Sequence, residues 1–144
     1  MHYLIILFSI FYSAISSAEG HKCNIQFDKT ELCAEVKFLG EMGRKSDAKF
    51  EIRFYENNKL VKLAKDPSVH LWMTMKNGHE HGSEKLKMNK NEFVYSFSNA
   101  WFLMLGQWHV IIEIDKLGKK FTGKLPICIK KVVKSSYIGL CGNN

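Results

Sequence analysis

Apolar and polar residues alternate with a period of two along most of this chain. Ala34, Val36 and Phe38 alternate with Glu35 and Lys37, and Ala48, Phe50, Ile52 and Phe54 alternate with Lys49, Glu51 and Arg53. The rhythm returns at Phe93, Tyr95 and Phe97, at Trp108, Val110, Ile112 and Ile114, and at Phe121, Leu125, Ile127 and Ile129. Successive side chains of a strand point to opposite faces, so each run predicts a half-buried β-strand. Turn-forming residues separate the runs at Glu56-Asn57-Asn58, Asp66-Pro67, Asn77-Gly78, Leu105-Gly106 and Leu117-Gly118. No long window carries the stripe of an amphipathic helix. About seven to eight short strands at this spacing predict an all-β protein, an antiparallel immunoglobulin-like β-sandwich.

Residues 1–18 break the pattern. Leu4 to Phe11 is almost purely apolar, Tyr12 to Ile15 tapers off, and Ser16-Ser17-Ala18 offers the small residues that a signal peptidase needs. A spanning helix needs about 20 apolar residues, so the run predicts a cleaved signal peptide and no membrane span after cleavage. The expected organisation is a signal peptide at 1–18, a β-sandwich domain at 19–131 and a short C-terminal tail at 132–144. The expected location is the periplasm or the outside of the cell.

Export changes the meaning of the cysteines. Cys23, Cys33, Cys128 and Cys141 make an even count, which in an oxidising compartment predicts two bridges out of three possible connectivities. Cys23 and Cys33 flank the turn-like Asp28-Lys29-Thr30, and Cys141 sits in a tail able to return to Cys128. The expected pairs are therefore 23–33 and 128–141. A thiolate metal site needs tighter spacings such as C-x-x-C, which the chain lacks.

The net charge of +7 comes from 21 Lys and Arg against 14 Asp and Glu. A basic balance suits a polyanion or an anionic membrane surface. Here the charge is scattered and no aromatic-basic motif accompanies it, so it reads as a solvated surface and no nucleic-acid partner is expected. Enzymatic signatures are missing too: the chain has no nucleophile elbow, phosphate-binding glycine loop, H-E-x-x-H helix or C-x-x-C-H. The chain is not expected to be an enzyme.

Metal ligands are concentrated instead. From His70 to Ser83, three histidines and two methionines fall within fourteen residues. Met73 and Met75 are two apart, so on a strand both thioethers share a face, and His79 and His81 follow in the next loop. Thioether sulfur selects Cu(I), and imidazole accepts copper in either oxidation state. Met104, in the Leu103-Met104-Leu105-Gly106 turn, is a further candidate. Met73 and Met75 suit core filling equally well, the loop histidines suit an exposed polar turn, and His70 and His109 read as structural. A mature chain beginning Glu19-Gly20-His21 places His21 third, where the α-amine, two backbone amides and the imidazole can surround Cu(II).

The stretch Leu71-Trp72-Met73-Thr74-Met75, then His81-Gly82-Ser83, Tyr95 and Trp101 to Trp108, resembles the FixH/YtkA-like family of small extracytoplasmic domains. The resemblance implies an immunoglobulin-like sandwich linked to copper handling or oxidase assembly, with Met73, Met75, His81 and Met104 at the family's Met and His places. Thr74 and Leu105 stand where proline is usual, and Lys76 to Glu80 lengthen the loop before His81, which offers His79 as an extra ligand or displaces His81. The expected function is a monomeric copper chaperone or buffer that passes metal to a periplasmic acceptor. The competing expectation is a metal-free envelope interaction or assembly module that uses a sheet edge or the basic face.

Overall fold

The computed structural model describes residues 23–44 and 46–142; the expected signal peptide and His21 lie outside them. The strands in chain order are β1 (Ile25–Gln26), β2 (Leu32–Leu39), β3 (Ala48–Glu56), β4 (Lys59–Val61), β5 (Ser68–Thr74) and β6 (Glu80–Gly82). They continue with β7 (Lys87–Asn91), β8 (Val94–Ala100), β9 (Gly106–Lys116), β10 (Lys119–Ile129) and β11 (Tyr137–Ile138). A short 3-10 turn, Val133–Ser135, precedes β11. No helix among the described residues is long and apolar enough to cross a membrane.

The strands form two antiparallel sheets. One runs β1-β2-β3-β8-β7 with β4 paired to the end of β3, and the other runs β11-β10-β9-β5-β6. The alternation seen in the sequence explains the packing. Ala48, Phe50, Ile52 and Phe54 of β3 are buried, and so are Trp108, Val110, Ile112 and Ile114 of β9 and Leu125, Ile127 and Ile129 of β10. These faces meet as the core of an immunoglobulin-like sandwich. Within it Phe50 stacks on Phe97 at 5.1 Å, while Phe54 meets Tyr95 and Phe102 meets Trp108 edge to face at 5.6 and 5.5 Å. Each such ring, fully buried, contributes about 1.5–3 kcal/mol. Phe93 departs from expectation: it sits in the turn before β8 and is exposed, so the inward run begins at Tyr95.

Local chemistry fixes the connections. Asn57 and Asn58, both with positive φ, turn β3 into β4, and Leu117 and Gly118 do the same between β9 and β10. Such paired left-handed residues match the twist of a two-residue hairpin. Gly123 permits a crossing: a Cβ there would lie 2.4 Å from Ile25 Cγ2, so the absence of a side chain lets β1 rest against β10.

Both expected disulfides are present. Cys23 joins Cys33 across the β1–β2 hairpin, and Cys128 joins Cys141, leaving no unpaired cysteine among the described residues. Two bridges in one small domain are the pattern of an oxidising compartment. The second bridge also explains the tail. Residues 137–138 pair with β10 as the sheet's edge strand, and the chain beyond is tied back to the sandwich.

Candidate metal centre

The β5–β6 hairpin builds the candidate site. Directly opposed residues of an antiparallel pair point to the same face. The register sets Met73 opposite His81, Thr74 opposite Glu80 and Trp72 opposite Gly82. The hairpin then closes through Lys76-Asn77-Gly78. The Met75 N–H donates to the His79 carbonyl at 2.7 Å, and the Gly78 N–H donates to the Met75 carbonyl at 2.9 Å. Gly78 takes φ +81°, and Asn77 Oδ1 accepts the His79 N–H at 3.1 Å. Met75 and His79 thus close the hairpin two residues beyond the Met73–His81 pair. The backbone sets both methionines against both loop histidines.

Burial separates the two residue types. Met73 is 6 % exposed and Met75 is half-buried against the core, whereas His79 and His81 lie exposed at the sheet edge. Met73 and Met75 line an open cleft of about 730 Å³ at the end of the sandwich, together with Leu105, Gly106, Gln107 and Cys141. Gly106 is needed there. Its φ of +120° suits glycine, and a Cβ would approach the Met73 methyl to 3.0 Å.

The structure brings the sequence candidates together in part. Met73 and Met75 share the cleft; His79 and His81 share their hairpin but are not in the cleft wall. Met104 is at the same end, where its carbonyl accepts the Trp108 indole N–H at 2.9 Å, but its side chain packs against the core. Among the described residues no three His, Cys, Asp or Glu side chains converge as a metal site. A metal centre built from these residues therefore rests on the thioethers, donors that fit Cu(I).

Sequence reasoning missed two features. Cys141 and Gln107 line the methionine cleft, although the sequence marked Cys141 only as a bridge partner. On the outer face of the same sheet, His70, Trp72, His109 and Lys124 surround a shallow hollow of about 290 Å³. Pairing register is the signal that would have found it, because Trp72 sits opposite His109 and His70 opposite Ile111.

His109 titrates abnormally in that hollow. Burial, and then the neighbouring Lys124 ammonium, hold its imidazole below the usual histidine value. The unfolded chain takes up the proton near pH 6.5, while the folded chain resists it until lower pH. The stability His109 contributes is thus full above about pH 6.5 and drains as pH falls through the folded value. Denaturant midpoints measured from about pH 7.5 down to about pH 5 are expected to fall, and His109→Gln to flatten that slope. An unchanged slope in the variant would remove His109 as its source.

Comparisons with protein-family models, curated proteins and solved structures find no match to this chain.

Proposed function

We propose that this chain is a copper-binding protein of the periplasm or the extracellular space, a chaperone or buffer rather than an enzyme. Met73, Met75, Met104 and His81 hold Cu(I), with His79 as an optional ligand; His79, His81 and Met104 stand outside the cleft wall, so they join the metal by side-chain movement. The observation that carries this reading is the cleft itself: Met73 at the end of β5 and Met75 just beyond it line one opening at the end of the sandwich. A core filler needs no access to solvent, yet Met75, packed against the core on one side, is only partly buried and lines the open cleft on the other. The resemblance to FixH/YtkA-like domains agrees with the same residues. A thioether binds without losing a proton, so loading and transfer to an acceptor protein proceed by ligand exchange at the open end. His21, third in a chain cleaved after Ala18, supplies a separate Cu(II) site.

The test is titration of the disulfide-intact protein with Cu(I) against a chromophoric chelator, with methyl NMR of the methionines. Retention of one equivalent, with the Met73 and Met75 methyl signals moving, is the expected result. Failure to compete, with both signals static, would overturn it. The rival reading, a metal-free interaction module, draws on exposed Leu103, Val132 and Leu140; it calls for partner association that chelators leave untouched.

A further inference from the structure

One end of the sandwich gathers loops that the sequence keeps apart. β2 ends where β3 begins, with Leu39 opposite Lys49, and β8 ends beside them, with Ala100 opposite Ala48. β10 ends where β9 begins, with Ile129 opposite Gly106, and β5 ends just beyond the Met73–Trp108 pair. Residues 101–105 carry the chain from one sheet to the other here. The β2–β3 and β10–β11 loops also touch: a Cβ on Gly43 would lie 2.6 Å from Val133 Cγ1. Loops 40–47, 75–79, 101–105 and 130–136 therefore share one end of the molecule.

Two kinds of side chain stand out there. Leu103 is 53 % exposed and Val132 66 %, and Leu39 and Leu105 are exposed as well. The described residues of the four loops include the cations Arg44, Lys76, Lys130, Lys131 and Lys134 against two acids, Glu41 and Asp47. Asp47 already accepts the Asn99 N–H at 2.6 Å. None of the five cations enters an ion pair among the described residues, whereas Lys65, Lys90 and Lys116, toward the opposite end, pair with Asp115, Asp66 and Glu56. We propose that this end of the sandwich docks on a bilayer carrying anionic phospholipid headgroups, with Leu103 and Val132 entering the interface and Lys131 and Lys134 meeting the phosphates.

The mixture of side chains selects this occupant. A protein interface buries a contiguous apolar centre and is poor in lysine. Here the apolar tips stand on separate loops, and Lys131 and Lys134 flank Val132 along the chain. A bilayer accepts that arrangement. Single leucines enter the boundary between headgroups and acyl chains, while lysine stems lie along it and keep their ammonium groups at the phosphates. Each basic residue near an anionic leaflet adds attraction, and salt screens it. Loop tips already outside the core dock without disturbing a strand. Docking in this way does not depend on copper.

The experiment is flotation of the full mature chain, metal-free and with its disulfides intact. The probes are vesicles of phosphatidylcholine alone and vesicles containing about one third phosphatidylglycerol. Recovery with the anionic vesicles is expected to exceed the other at least about tenfold, and to fall as salt rises from about 0.1 M to about 0.5 M. Leu103→Asp combined with Val132→Asp, and Lys131→Glu combined with Lys134→Glu, are each expected to lower it at least about tenfold. Leu117→Asp, at the 95 % exposed tip of the β9–β10 hairpin on the opposite end, is expected to leave it unchanged. A spin-labelled lipid is expected to broaden the methyl signals of Leu103 and Val132 and to spare Leu117. No recovery with anionic vesicles, equal recovery with both kinds, or a loss in Leu117→Asp as large as in the paired variants would overturn the proposal. Should a paired variant unfold, the broadening pattern of the wild type decides, and broadening at Leu117 in place of Leu103 and Val132 would overturn it too. Cu(I) titration of the same protein reads the copper site separately, so either result can fail without the other.

Discussion

Replacing both Met73 and Met75 with leucine is expected to abolish Cu(I) retention while leaving the sandwich folded. The double change removes both sulfurs from the cleft and keeps side chains of similar size, a swap that usually costs under about 1.5 kcal/mol per site. The structural cost falls on Met73, which is nearly buried and whose methyl fills the space left by Gly106. Met75 is half-exposed and adapts more easily. Chelator competition reads the binding, and the denaturant midpoint reads the fold. A folded variant that keeps full affinity would place the metal elsewhere, since the exposed imidazoles of His79 and His81 are then the remaining donors on the hairpin.

The core strands were legible because one face of each is buried. Burial alternates without a break from Ala48 to Phe54 in β3 and from Trp108 to Ile114 in β9, and period-two burial there leaves no second reading. Hairpin chemistry was equally plain at Asn57-Asn58 and Leu117-Gly118, where the backbone demands residues tolerant of positive φ or flanked by them. The edges were not legible. Every residue of β6 and β7 is exposed, so Lys87–Asn91 carries no apolar rhythm and reads as loop. Lysine and asparagine on such an edge also discourage pairing with other chains. Phe93 was misread for a related reason: its spacing matched the strand, but the turn at Glu92 starts the strand one residue later. The site was half legible. Spacing placed Met73 and Met75 on one face, but only the hairpin register sets His81 against Met73, and only the folded tail brings Cys141 to the cleft. Contacts between residues this far apart in sequence leave no local pattern to read.

Trp108→Ala is expected to be the most damaging single substitution, with a loss of about 3–5 kcal/mol. That is a large part of the roughly 5–15 kcal/mol by which a domain is stable. Trp108 is fully buried, lies opposite Met73 in the β5–β9 register, and meets Phe102 edge to face. Its indole N–H is also the bond that holds the Met104 carbonyl. Core and candidate site therefore meet at one side chain, and the conservative variant separates them. Trp108→Phe keeps an aromatic ring in the core but leaves the Met104 carbonyl without this donor, a cost of about 1–3 kcal/mol. Urea denaturation should rank wild type above Phe and Phe above Ala, and hydrogen exchange should quicken along residues 101–106 in the Phe variant. The same protein then tests the ligand set without touching a ligand. A drop in Cu(I) affinity in Trp108→Phe shows that the position of Met104 matters to the metal. An unchanged affinity, with the loop demonstrably loosened, takes Met104 out of the coordination sphere and leaves the cleft to Met73 and Met75.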